Sequence, residues 1–220
     1  MRNFKGLFLT CSLFLWVCGA WAQSNGSPVF FDEIELGINR TFVNHENSEG
    51  RNGFGGGIHH SFFKNKKVNL VVGLNYSQTS QVKKAVSESH GIKVIKDARY
   101  TVETLFVPVK ARYVTGNKFV FFVEAGAFVN ANLGLRLQGW QYKSSNPEEL
   151  IITEIDMKLE PLFKYSGGIL YGMGVAYRLN GVKLFIKPGF CFQTGCLWEI
   201  HSGKELIYNR YFNIALGVML

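Results

Sequence analysis

Charge is scarce in this chain. Asp, Glu, Lys and Arg make up 18% of its 220 residues, against about 25% in an ordinary soluble domain. With 47% hydrophobic residues, that composition excludes disorder, a coiled coil and collagen. Proline is rare, at 5 residues, and cysteine rarer, at 4. Two of the four, Cys11 and Cys18, fall in the leader discussed below. The remaining Cys191 and Cys196 are too few for a secreted disulfide scaffold. Long hydrophobic runs are missing too. After residue 22 no apolar stretch approaches the ~18 residues of a spanning helix. What the chain does have is aromatic residues and glycine, with 19 Phe and 24 Gly. Aromatic enrichment without charge points to β-structure.

The first 22 residues read as a secretory signal peptide. Arg2 and Lys5 precede an apolar core from Leu7 to Cys18. Ala20-Trp21-Ala22 then supplies the small-x-small signal, so cleavage is expected between Ala22 and Gln23. This divides the chain into a leader (1–22) and a mature domain (23–220) of 198 residues with formal charge +6.

The mature domain alternates with period two, the signature of strands whose successive side chains face opposite ways. In the last segment Phe212, Ile214, Leu216, Val218 and Leu220 are large and apolar, while Asn213, Ala215 and Gly217 between them are small or polar. Similar segments begin near Glu33, Phe54, Asn69, Thr104, Phe119, Lys164 and Val182, giving eight strands. Most are at least ten residues long, as a tilted membrane-crossing strand requires. Short connections (64–67, 116–117, 180–181) alternate with long ones (44–52, 81–98, 133–161, 195–205). Asn180-Gly181 is a strong hairpin turn. Short turns on one side and long loops on the other suit an outer-membrane barrel. The predicted fold is therefore all-β: an eight-stranded antiparallel transmembrane β-barrel with up-and-down topology. An even strand number puts both termini in the periplasm of a Gram-negative bacterium.

The alternation also assigns the faces. Aromatics near strand ends (Phe42, Tyr76, Tyr113, Phe119, Tyr177) suit the interfacial girdles of a lipid-facing surface. The other face carries glycine and charge. It places Glu33, Glu35 and Glu124 in the lumen with Lys110, Arg112, Lys164, Arg178, Lys183 and Lys187. Eight strands leave an interior about wide enough for side chains to fill it. Such charges have to pair, so the expected result is a salt-bridge network that plugs the lumen. An excess of bases over acids keeps a narrow charge-lined pore as the alternative.

Chemistry-bearing motifs are weak. Gly53–Gly57 lacks the Lys-Ser/Thr of a phosphate loop, and Gly168, Gly172 and Gly174 form no dinucleotide fingerprint. The adjacent His59 and His60 face opposite sides and do not readily share a metal. His45, His90 and His201 fall in outer loops, near Ser48, Ser89 and Ser202. Their spacing fixes no catalytic arrangement, so a barrel enzyme is the weaker alternative. The acidic Glu148, Glu149, Glu154 and Asp156 suit a solvated loop. No catalytic residue, metal or cofactor is therefore expected. The basic Lys83, Lys84, Lys93, Lys96 and Arg99 suit contact with membrane lipid and lipopolysaccharide rather than nucleic acid.

Residues 103–131 (ETLFVPVKARYVTGNKFVFFVEAGAFVNA) resemble the PorT-like outer-membrane β-barrel family. Glu103, Pro108, Lys110, Tyr113, Ala125 and Gly126 carry the resemblance, while the C-terminal Leu220 departs from the aromatic end of many such barrels. The resemblance implies a small integral outer-membrane protein with one relative in a secretion machine. It also implies that the barrel insertion machinery reads Phe212, Ile214, Leu216, Val218 and Leu220. The expected function is a closed structural or interaction barrel working through its outer loops, with an envelope protein as partner.

Overall fold

A computed structural model describes residues 31–43, 48–64, 66–88, 93–146, 149–161, 163–200 and 205–220. Cleavage between Ala22 and Gln23, and the loop histidines His45, His90 and His201, lie outside them. Nine antiparallel strands follow in sequence: β1 (Glu33–Thr41), β2 (Ser48–Phe62), β3 (Val68–Glu88), β4 (Lys93–Gly116), β5 (Phe119–Asn146), β6 (Glu149–Leu159), β7 (Tyr165–Leu179), β8 (Val182–Ile200) and β9 (Glu205–Met219). Eight of them close a barrel. Neighbours in sequence pair throughout, except that β5 pairs with β7 past β6. The seam is β1 on β9, from Glu33 opposite Met219 to Thr41 opposite Tyr211. Closure leaves no edge to lipid, which a spanning sheet requires because bilayer hydrocarbon offers no hydrogen-bond partner.

The ninth strand is where the sequence reading needs correction. Within residues 133–161, read as a long loop, 133–146 and 149–159 continue the sheet. β5 runs 28 residues, and β6 returns along it from Asn146 opposite Glu149 to Leu135 opposite Leu159. Within the segment 81–98, also read as a loop, residues 81–88 and 93–98 are strand, with β3 and β4 paired as far as Glu88 opposite Lys93. In β5 a β-bulge at Leu133 explains why the pattern was hidden. Between Glu103 and Thr104 the pairing with β5 slips by one residue, as Gly134 and then Asn132 are its partners. Below the slip Asn130 and Asn132 point inward; above it Leu135 and Leu137 do. A single alternation rule cannot follow that change of phase. The extension has its own apolar core of Ile95, Ala98, Tyr100, Val102, Leu135, Leu137 and Ile155.

The turns obey local chemistry. Asn180 and Gly181 both have positive φ, 40° and 93°. That is the backbone of a two-residue hairpin turn matched to strand twist. Gly116, at φ 99°, makes the corresponding bend after β4.

The outer wall is apolar. Ile38 is 66% exposed, Val129 67%, Ile169 56% and Leu216 60%. In a water-soluble barrel these side chains would be inside. Aromatic rings collect at both margins of this band. Phe42, just past β1, packs with Tyr171, Phe190, Phe192 and Phe212 of β7, β8 and β9 at one margin, with Phe42 and Phe190 centroids 5.9 Å apart. At the other, Phe119 and Tyr177 pack 5.1 Å apart. A wall apolar outside, flanked by aromatic girdles, is the transmembrane β-barrel surface.

Candidate functional site

The lumen holds the structure's densest chemistry, and strand parity builds it. Glu33 and Glu35 on β1, His59 on β2, Asn75 on β3, Lys110 and Arg112 on β4, Glu124 on β5 and Lys187 on β8 all occupy inward positions and are buried. Arg112 lies between two carboxylates. Its Nη1 and Nη2 donate to Glu33 at 2.5 and 2.9 Å, and its Nε and Nη2 to Glu124 at 2.9 and 2.7 Å. Lys110 donates to the other oxygen of Glu124 at 3.1 Å, and Lys187 Nζ lies 3.0 Å from that same oxygen. Lys187 also donates to Glu35. His59 Nε2 sits 3.3 Å from Glu35, and Asn75 donates to Glu35 at 3.3 Å. Three carboxylates meet three lysine and arginine cations, so these six charges balance.

Glycine makes the room. A Cβ on Gly73 would fall 2.1 Å from His59 Nδ1, and Gly73 lies directly opposite His59. The same pairing recurs with aromatic rings. Phe122 is opposite Gly174, Phe128 opposite Gly168 and Phe185 opposite Gly217. In each pair a Cβ on the glycine would lie within 2.5 Å of a ring atom. At these four positions glycine leaves the space into which a lumen ring folds.

Beyond the charges, Phe106 and Phe128 pack 5.3 Å apart beside Cys191 and Tyr211. Cys191 is a free, buried thiol. Two cavities beside the network measure about 50 and about 30 Å³, enough for only a few waters each.

The remaining sequence-assigned lumen charges lie elsewhere. Lys164 precedes β7, is exposed, and has its ammonium 5.8 Å from the Tyr165 ring centroid. It has inward parity but lies outside the strand, so parity does not apply to it. Arg178 and Lys183 have inward parity too, but they stand at the barrel mouth, exposed and half-buried. The excess of bases over acids is therefore a property of the mouth, not of the lumen.

Sequence reasoning passed over His59 as part of this site. Its inward phase with Gly57 and Ser61 was the available signal. Glu33, Glu35 and His59 have ligand atoms within 4.8 Å of one another. Arg112 and Lys187 already occupy the two carboxylates, so a divalent ion would have to displace a hydrogen-bonded cation. Of the loop acids, Asp156 takes hydrogen bonds from Arg136 and Gln138 on the extension, and the Arg136 guanidinium holds its carboxyl below the usual range. Of the basic group, Lys96 lies over the Tyr142 ring at 4.6 Å and Arg99 donates to Ser80 at 3.1 Å.

An apolar wall, aromatic girdles and a charged, filled lumen define a closed eight-stranded transmembrane β-barrel of the outer-membrane type. No family model matches the chain, and no curated protein matches it. Solved structures of similar architecture include Neisserial surface protein A, at 12% identity and TM-score 0.47, covering 88% of this chain and 97% of that one. Ail, the attachment invasion locus protein of Yersinia pestis, is similar at 11% identity and TM-score 0.40, covering 86% and 98%. The N-terminal barrel domain of Pseudomonas aeruginosa OprF is similar at 13% identity and TM-score 0.36, covering 86% and 98%. At these values the likeness is one of architecture alone.

Proposed function

We propose that this protein is a closed outer-membrane anchor of a Gram-negative bacterium. Both termini face the periplasm, and the β3–β6 extension is displayed outside the cell as an interaction surface. The observation that carries this reading is the edge of the extension. Among the described residues β6 pairs only with β5, so its other edge offers free backbone donors and acceptors. Ile151, Ile152 and Met157 on β6 and Trp140 on β5 are exposed beside it. Such an edge fits a partner that adds a strand. The resemblance of residues 103–131 to PorT-like barrels makes a component of an envelope or secretion assembly the candidate partner. Lys84 and Lys96 on the same extension suit the phosphates of lipopolysaccharide. Cleavage after Ala22 and recognition of the β9 pattern by the insertion machinery belong to this reading.

The pore alternative is disfavoured by the balanced network and the aromatic layer above it. The test is an epitope inserted between residues 147 and 148, with a second variant lacking 139–156. Antibody should label the epitope on intact cells. The trimmed protein should still insert but lose any complex that a lysine-reactive crosslinker recovers with the parent protein on intact cells. Labelling only after the outer membrane is opened would overturn the orientation. An unchanged crosslinked complex in the trimmed variant would overturn the role of the edge.

A further inference from the structure

At the short-turn end the barrel opens into a cavity of about 250 Å³, several times the size of the two beside the charged network. Two turns converge on it from opposite sides of the seam. The β2–β3 turn brings Lys64, Lys66 and Lys67, and the β7–β8 hairpin brings Arg178 and Lys183. Arg112 forms its floor and is already taken up by Glu33 and Glu124. Asp32 is the one acidic side chain in the lining, and Lys64 takes it at 3.0 Å. Lys66 lies over the Phe63 ring, with no carboxylate partner among the described residues. Lys67, Arg178 and Lys183 likewise have none. Counting the terminal carboxylate of Leu220 as a second acid still leaves cations in excess.

Two of these cations are set directly against each other. Arg178 and Lys183 are cross-strand partners, an arrangement that like charges destabilise. The contrast with the lumen is sharp, because a few residues deeper every base has its acid. A mouth that gathers unmatched cations around a cavity with room for on the order of ten waters is built to receive negative charge.

We propose that this mouth binds a compact multivalent anion through its carboxylate or phosphate groups, with Lys67, Arg178 and Lys183 as the principal contacts. Charge-assisted hydrogen bonds from convergent ammonium and guanidinium groups recognise both chemistries. The site stands independently of which way the barrel faces. Only its identification as a periplasmic ligand site rests on the orientation proposed above.

The experiment uses the mature full-length chain folded in neutral maltoside micelles, titrated calorimetrically with pyrophosphate and, separately, with citrate. Binding of at least one is expected below about 1 mM, weakening as salt is raised because the contacts are exposed. The variant Lys67→Gln/Arg178→Gln/Lys183→Gln should bind at least about tenfold more weakly, having lost three charged contacts. Lys158→Gln, on the far extension, should bind as the parent does. Binding of pyrophosphate alone assigns a phosphate ligand, citrate alone a carboxylate, and both a site that reads charge. Heat-modifiable gel mobility confirms folding of each variant, and Arg178→Gln alone, expected to weaken binding in the same direction, serves if the triple variant does not fold. No heat from either anion up to about 10 mM, or equal affinity in the substituted and parent proteins, overturns the proposal.

Discussion

Replacing Glu124 by glutamine removes one negative charge from the centre of the lumen while keeping nearly the same volume. Lys110 Nζ and Lys187 Nζ lie 3.1 and 3.0 Å from one of its oxygens, and Arg112 donates to the other. A unit charge pair at that range is worth roughly 1.4 kcal/mol in bulk water and roughly 5 kcal/mol at an effective dielectric of 20. Desolvation offsets much of the larger figure, but that cost is met only while the charges stay matched. Taking away one partner of a buried pair typically costs about 3–5 kcal/mol, because the other charges stay buried without compensation. Three cations would then face two carboxylates. Glu124→Gln should therefore destabilise the barrel by about 3–5 kcal/mol, measured by urea titration of folding into lipid vesicles. The double variant Glu124→Gln/Lys110→Met restores balance and should recover about 1–2 kcal/mol of that loss. A loss below about 1 kcal/mol in the single variant would mean that water screens the lumen, and the reasoning that makes it a dry plug would fail.

On the outer wall, Val107→Arg and Ile169→Arg should each cost about 2–4 kcal/mol in the same vesicle assay, since both side chains face lipid. Ser166→Ala should cost about 1–2 kcal/mol, because it deletes one hydrogen bond to Asn130 and one from Gln193; a cost at Ser166 above those at Val107 and Ile169 would reverse the face assignment. Planar bilayers containing the purified protein should show no steady porin-sized conductance, and a large stable current would reinstate the pore. Deleting Gly217–Leu220 removes the rungs that tie β9 to Glu33–Glu35 on one side and to Lys183–Phe185 on the other. The truncated chain should fail to insert and be degraded, and its recovery in urea-resistant membranes would refute closure at this seam.

Sequence legibility followed strand regularity. β1 could be read residue by residue, since Glu33, Glu35 and Asn39 turn inward and Leu36 and Ile38 outward without interruption. The seam was legible too, because Phe212–Leu220 alternates as cleanly as the strand it meets. Legibility ended at the bulge beside Glu103, where one extra residue changed the phase and made a continued sheet resemble a loop. Charge placement failed for a different reason. Parity says which way a side chain leaves the wall, not how far along the barrel it stands. Arg178 and Lys183 therefore looked identical to Lys110 and Lys187. His59 was hidden by its neighbour, because a His-His pair draws notice as a metal motif and not as one inward and one outward ring.

The facing of rings by glycines has a consequence for how the bore is set. Strand number fixes only the circumference; what fills each rung is decided between two adjacent staves. At Phe122 and Gly174, Phe128 and Gly168, and Phe185 and Gly217, one stave spends its whole side-chain allowance and its neighbour spends none. Enlarging the glycine crowds the ring, and shrinking the ring opens a hole. A change at either position therefore calls for the opposite change directly across the ladder. The unit on which substitution acts in this wall is the rung, and the two members of a rung are expected to trade size while their sum stays constant.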